Sequence, residues 1–148
     1  MHSKVLLTAG LVFSLAACAQ DEGSATDAAV QSMNAVAEVV EPGSGDAAAG
    51  KRLYIYCQAC HTISAGGMNK VGPNLAGFMG KQSGRAEGFV FSAALSEAGI
   101  TWDEATLDQW ITSPSQLVPN TTMVFAGVND AKQRADLIAY LREASIAE

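Results

Sequence analysis

Cysteine is scarce in this sequence: Cys18, Cys57 and Cys60 are the only three among 148 residues. A disulfide-stapled scaffold wants more, and a four-cysteine zinc site cannot be assembled from them. Histidine is scarcer still, with only His2 and His61. Positive charge is also short, nine Lys and Arg against fifteen Asp and Glu for a formal charge of −6. With no basic stripe along the chain, nucleic acid is excluded as a partner. No stretch alternates apolar and polar residues long enough to read as a strand, and there is no internal repeat. No apolar run reaches the roughly 20 residues needed to cross a bilayer as a helix. What remains is 49% hydrophobic and 16% charged, apolar enough to fold, and long enough for one domain plus something extra.

The extra part lies at the beginning. Lys4, then the apolar stretch Val5 to Ala17, then small residues read as an export signal over residues 1–17. Its end, "LAAC" (Leu15 to Cys18), resembles a bacterial lipobox, in which lipid is attached to the cysteine thiol and the chain is cut just before it. The alternative is ordinary cleavage nearby, with Cys18 a passenger. From Ala19 to Ala49 the chain is rich in Ala, Gly, Ser and acids, holds no aromatic residue, and includes the turn-and-linker signature "EPGSGD", Glu41 to Asp46, with the tether expected over residues 18–45. A helical stretch around Ser24 to Val40 is compatible with the Ala and Glu there, but nothing in it buries a core. The segment reads as a self-repelling tether: before Asp46 there is Lys4 against five acids, and from Asp46 on there are eight bases against ten acids.

Residues 46–148 form the expected domain, of all-α class. Gly50, Leu53, Tyr54 and Cys57 fall on one face of a first helix ending at the cysteines. A second runs from Ser92, its candidate N-cap, to Ala98, with Gly99 as stop. A third opens at "TWDE", where Thr101 and Glu104 have capping-box spacing, and shows Leu107, Trp110 and Ile111 as its apolar stripe. The fourth spans about Asp130 to Ala144, with Leu137, Ile138, Tyr140 and Leu141 inward. Between them lie long Gly- and Pro-bearing loops, above all Ala65 to Gly88. Loops of that length in so small a domain wrap something or carry function. A large apolar cofactor at the centre would give them the core they lack.

The stretch "YCQACHT", Tyr56 to Thr62, suggests which cofactor. A thioredoxin-like dithiol needs a βαβ context that is missing. Zinc needs two further ligands, and His2 lies in the signal. A disulfide between Cys57 and Cys60 would close a tiny loop and leave His61 unexplained. Covalent haem c uses all three residues: both thiols add across the porphyrin vinyl groups, and His61 is held beneath the iron. A closed electron-transfer site wants a sixth ligand, and a soft thioether suits ferrous iron. Met1 and Met33 lie in signal and tether, leaving Met68, Met79 and Met123. Met123 stands in a loop free to cross the far side, while Met68 and Met79 are also readable as core gap-fillers.

From about Gly50 to Ala144 the chain resembles a mitochondrial-type class I cytochrome c. The motifs are "CQACHT", "VGPNLAGF", "GITWDEATL", "VPNTTMVFAG" and "RADLIAYLREA", in family order and spacing. The resemblance implies a small all-α fold with crossing terminal helices and loops wrapped around one covalent haem. It implies thioethers at Cys57 and Cys60 and axial ligands His61 and Met123. Pro73 stands where a backbone carbonyl fixes the histidine tautomer, Trp102 where a tryptophan reaches a haem propionate, and Gly50, Tyr54, Leu137 and Tyr140 at the helix crossing. Lys81, Phe91, Leu95 and Trp110 depart from the family's usual arginine, tyrosine, asparagine and tyrosine. The lysines around the family's exposed haem edge are thinned, with Tyr56, Ala65, Met68, Ser115, Gln116 and Thr122 in such places and Lys70 and Lys81 remaining. Docking is therefore expected to rest on apolar contact around Phe125 and the thioether edge.

The function implied is one-electron transfer by a monomer rather than an enzyme. Electrons would come from a quinol–cytochrome c oxidoreductase and go to a terminal oxidase, on the periplasmic side of a bacterial membrane, lipid-anchored or soluble. The alternative is a haem module that binds or reduces a small ligand, which needs Met123 off the iron or easily displaced.

Overall fold

The computed structural model describes residues 43–146; the expected signal, the expected lipid-attachment residue Cys18 and nearly all of the expected tether lie outside the described residues. Among the described residues six helices follow in order: α1 (Ala47–Leu53), α2 (Ile55–Gln58), α3 (Ala93–Glu97), α4 (Glu104–Thr112), α5 (Pro114–Leu117) and α6 (Ala131–Ile146). Among the described residues the only sheet-like pairing is one isolated antiparallel bridge, Gln82 with Thr101. The all-α expectation holds.

The first expected helix is divided at Tyr54 into α1 and α2, but its hydrogen bonds run on. Tyr54 N–H donates to the Gly50 carbonyl, and the Tyr54 carbonyl accepts from Gln58 N–H, both at 3.0 Å. Asp46 starts it, its carboxylate accepting from the N–H groups of Ala48 and Ala49 at 2.8 and 3.2 Å. The Asp46 N–H in turn donates to Asp136 on α6 at 2.7 Å. This ties the start of α1 to the middle of the last helix. Gly50 is buried where they cross, and a Cβ there would run into the Asp136 carbonyl. The rings of Tyr54 and Tyr140 meet one turn further along, centroids 5.4 Å apart. Glycine is what lets the two backbones touch.

Ser92 caps α3 as expected, its Oγ accepting from Leu95 N–H at 3.3 Å, and Gly99 follows at φ 66°. The capping box of α4 sits two residues beyond the expected place. Asp103 accepts from Thr106 N–H at 2.8 Å, and Thr106 Oγ1 accepts from Asp103 N–H at 3.0 Å. Thr101 is engaged elsewhere, in the bridge to Gln82. Helix α5 was not expected, although Pro114 at its first position after Ser113 is a start signal. Helix α6 runs two residues beyond the expected Ala144. The core joins Leu107, Trp110 and Ile111 of α4 to Leu137, Ile138 and Leu141 of α6, with Leu95, Val118 and Val128. No helix lies between residues 59 and 92. That segment walls the site.

Candidate functional site

The loop after α2 is held by its own polar side chains. Asn74 donates from Nδ2 to the carbonyls of Ser64 and Gly67 at 3.0 and 2.8 Å, and its backbone N–H donates to Asn69 Oδ1 at 2.8 Å. Thr62 Oγ1 donates to the Met68 carbonyl at 2.8 Å, and Lys70 Nζ to the Gln58 carbonyl at the end of α2 at 2.6 Å. These bonds return the chain across the imidazole of His61. Gly72, buried, passes so close that a Cβ would collide with the ring, which explains the glycine of "VGPN".

His61 is fixed from both ends. Its carbonyl accepts from Tyr54 Oη at 3.2 Å, and its Nδ1 lies 2.8 Å from the Pro73 carbonyl. A carbonyl only accepts, so Nδ1 carries the proton and Nε2 keeps its lone pair. Burial above all pulls the imidazole below its ordinary pKa; the Pro73 bond works upward and the Lys70 charge downward. At neutral pH the ring is therefore neutral, the state a metal ligand requires.

Cys57, Cys60 and His61 open together onto a cavity of about 660 Å³, within the roughly 300–1,000 Å³ of small-molecule sites. Its inner wall is apolar, with Phe91, Leu95, Leu107, Trp110, Ile111 and Leu141. The two thiols are not joined to each other. Burial pushes the half-buried Cys57 thiol up to about 11, with Cys60 adding to the rise, while Cys60 is exposed.

Of the methionines among the described residues, Met123 alone lines this cavity. Met68 is 81% exposed, and Met79 packs on the core. The Met123 loop turns at Asn120 (φ 67°), and Thr121 Oγ1 accepts from the Met123 N–H at 3.3 Å. The structure thus brings Cys57, Cys60, His61, Pro73, Lys81, Trp102, Met123 and Phe125 to one cavity, and places all four departures (Lys81, Phe91, Leu95, Trp110) on its lining as well. Trp102 meets Trp110 edge to face at 5.4 Å, and its backbone N–H donates to the Lys81 carbonyl at 2.9 Å. The reading from sequence missed Gly72, Asn74 and Thr121. Their signals were the glycine before Pro73, the asparagine after it, and the threonine two residues before Met123.

The site suits haem c on three structural grounds: two thiols beside a neutral histidine with one free nitrogen, a thioether facing the same space, and an apolar wall. Comparison with known proteins agrees. A cytochrome c family model matches residues 47–145. Cytochrome c of Chlamydomonas reinhardtii is 44% identical over 106 residues, 71% of this chain and 95% of that protein. Cytochrome c2 of Blastochloris viridis is 43% identical over 107 residues, 72% of this chain and 84% of its own. Among solved structures, cytochrome cH from Methylobacterium extorquens superposes with a TM-score of 0.64 at 47% identity, covering 67% of this chain and 99% of that one.

Proposed function

The chain belongs to the cytochrome c family and carries covalent haem c as an electron carrier rather than an enzyme, and from that premise we propose that its iron is held between His61 and Met123. The haem supplies one-electron exchange between ferric and ferrous iron. The residues supply the rest. Cys57 and Cys60 hold the cofactor by thioether bonds. The Pro73 carbonyl keeps the proton on Nδ1 and makes Nε2 the better donor, while Gly72 and Tyr54 hold the ring and backbone of His61 in place. Trp102 and Lys81 line the same cavity and would hold the carboxylates of the cofactor. One observation carries this reading: the cavity that holds the tautomer-fixed His61 is also lined by Met123 and, among the described residues, by no other methionine.

Two ligands leave the iron no open position, so the ferrous protein should bind carbon monoxide poorly. Ready binding by the unmodified protein would favour the ligand-binding module instead.

As redox partners we propose a quinol–cytochrome c oxidoreductase and a terminal oxidase, served by a monomer on the periplasmic side of a bacterial membrane. In this reading residues 1–17 are a signal, Cys18 bears lipid, residues 18–45 are the tether and residues 46–148 the domain. The soluble periplasmic form is the alternative. Cys18→Ser with membrane fractionation decides: a variant distributed like the wild type makes Cys18 a passenger. Docking rests on apolar contact, supported by Val71 and Val124 at the cavity mouth, 82% and 100% exposed, beside Tyr56 and Phe125. Lys70 is engaged with the Gln58 carbonyl. Electron-transfer rates should then depend weakly on salt, and a steep fall would count against this surface.

A further inference from the structure

The positive charges of the domain are mostly engaged. Arg134 pairs with Asp108 at 2.7 Å, Arg142 with Glu104, and Lys132 with Asp136 at 3.0 Å. Lys70 and Arg52 donate to the carbonyls of Gln58 and Ala48. Among the described residues Lys51, Lys81 and Arg85 make no side-chain hydrogen bond or ion pair, and two of these three, Lys81 and Arg85, line the haem cavity. No other Lys or Arg lines it, and the only Asp or Glu that does is Glu87.

The loop bearing both cations is well anchored. Lys81 N–H donates to the Phe78 carbonyl at 3.0 Å, and Ser83 N–H to the Ile100 carbonyl at 2.7 Å. Ser83 is 1% exposed, and its Oγ donates to the Leu95 carbonyl at 2.9 Å. Gly84 turns at φ 69° so close to Ser96 that a side chain would collide. Arg85 follows directly. Its backbone position is therefore set by buried contacts, although its side chain is exposed.

Haem carries two carboxylates, and carboxylates at the edge of an apolar cavity need positive charge or donors. Phe91 and Leu95 offer neither. We propose that Arg85 acts with Lys81 as the second cation for these carboxylates, a positioning and charge-compensating residue that takes over from absent polar side chains. A guanidinium suits this task because it meets a carboxylate with two parallel N–H bonds and keeps its charge at any working pH. The inference rests on the haem-carrier reading and on the carboxylates lying at the cationic end.

Its charge disfavours the additional positive charge of ferric iron, so removing it should favour the oxidised state. In the holoprotein, Arg85→Gln should lower the ferrous-to-ferric ratio at fixed potential about threefold, close to 30 mV for a one-electron couple in which tenfold is about 59 mV. Arg85→Lys should keep most of the wild-type potential. Lys51→Gln removes an equally unengaged cation away from the cavity and should leave the potential unchanged, which separates a local effect from net charge. Equal potentials for Arg85→Gln and Lys51→Gln would overturn the proposal, as would an Arg85→Gln effect confined to rates with a redox partner. The near-infrared methionine–iron band, recorded on the same ferric samples, keeps the two readings apart. Its absence from the parent speaks against Met123 ligation, whatever Arg85 does.

Discussion

The crossing of α1 over α6 and the loops between residues 59 and 92 solve the same problem in opposite ways. At the crossing the chain supplies both sides of every contact: Gly50 against the Asp136 carbonyl, Tyr54 against Tyr140, the Asp46 N–H on the Asp136 carboxylate. In the loops polar side chains such as Asn74 bond to nearby backbone, while Leu75, Phe78, Phe89 and Phe91 face a cavity of about 660 Å³. The first region is complete in itself. The second has one face built by the protein and the other left to the haem. Chain entropy explains why a domain of this size needs both, because ordered irregular backbone costs about 1–2 kcal/mol per residue and must recover it from burial.

The sharpest way to break this contrast is to remove the cofactor's attachment. Cys57→Ser with Cys60→Ser should abolish covalent haem and destabilise the domain on the order of 4 kcal/mol or more. Hydrogen exchange should show amides of residues 62–89 losing protection first and most. A loop that kept its protection without haem would contradict the account.

Next in size is a change at the crossing. Gly50→Ala places a methyl group against backbone that has no rotamer to move, and should cost about 3 kcal/mol. Thermal melting reads the loss, while the optical spectrum of the protein that remains folded should be unchanged.

The smallest effect tests the polar part of the same contact. Burial raises the Asp136 carboxyl, but the Asp46 N–H and the bond and charge of Lys132, with Arg52 behind them, outweigh it and hold the pKa below its ordinary 3.8. A carboxyl lowered by folding stabilises the protein above its unfolded pKa, and that contribution is lost as pH falls through the folded value. Asp136→Asn should therefore cost about 1 kcal/mol at neutral pH, and the difference from wild type should shrink below pH 3.8. A difference that stayed constant down to the acid limit would show that the carboxylate's charge does not matter here.

The two regions also differed in how far the sequence disclosed them. The crossing was legible because the i, i+3, i+4, i+7 spacing of Gly50, Leu53, Tyr54 and Cys57 is a direct image of helix geometry. Cys57, Cys60 and His61 were legible because their spacing is the one that thioether attachment of haem requires. The loops were not, since bonds such as Asn74 to Ser64 and Gly67, or Thr121 to Met123, follow no period and show only in space. The misplaced capping box has the same origin: Thr101 and Asp103 both suit an N-cap, and the bridge from Thr101 to Gln82 decided between them. Composition left Met68, Met79 and Met123 open. Packing separates them, with only Met123 on the cavity.

The central claim is that the loop region is completed by haem iron held between His61 and Met123. The near-infrared spectrum of the ferric protein, recorded beside that of Met123→Ala, tests it most directly. The account requires a methionine–iron band in the parent and its loss in the variant, which should also gain carbon monoxide binding in the ferrous state. A parent without the band, or a variant that keeps it, would contradict the account.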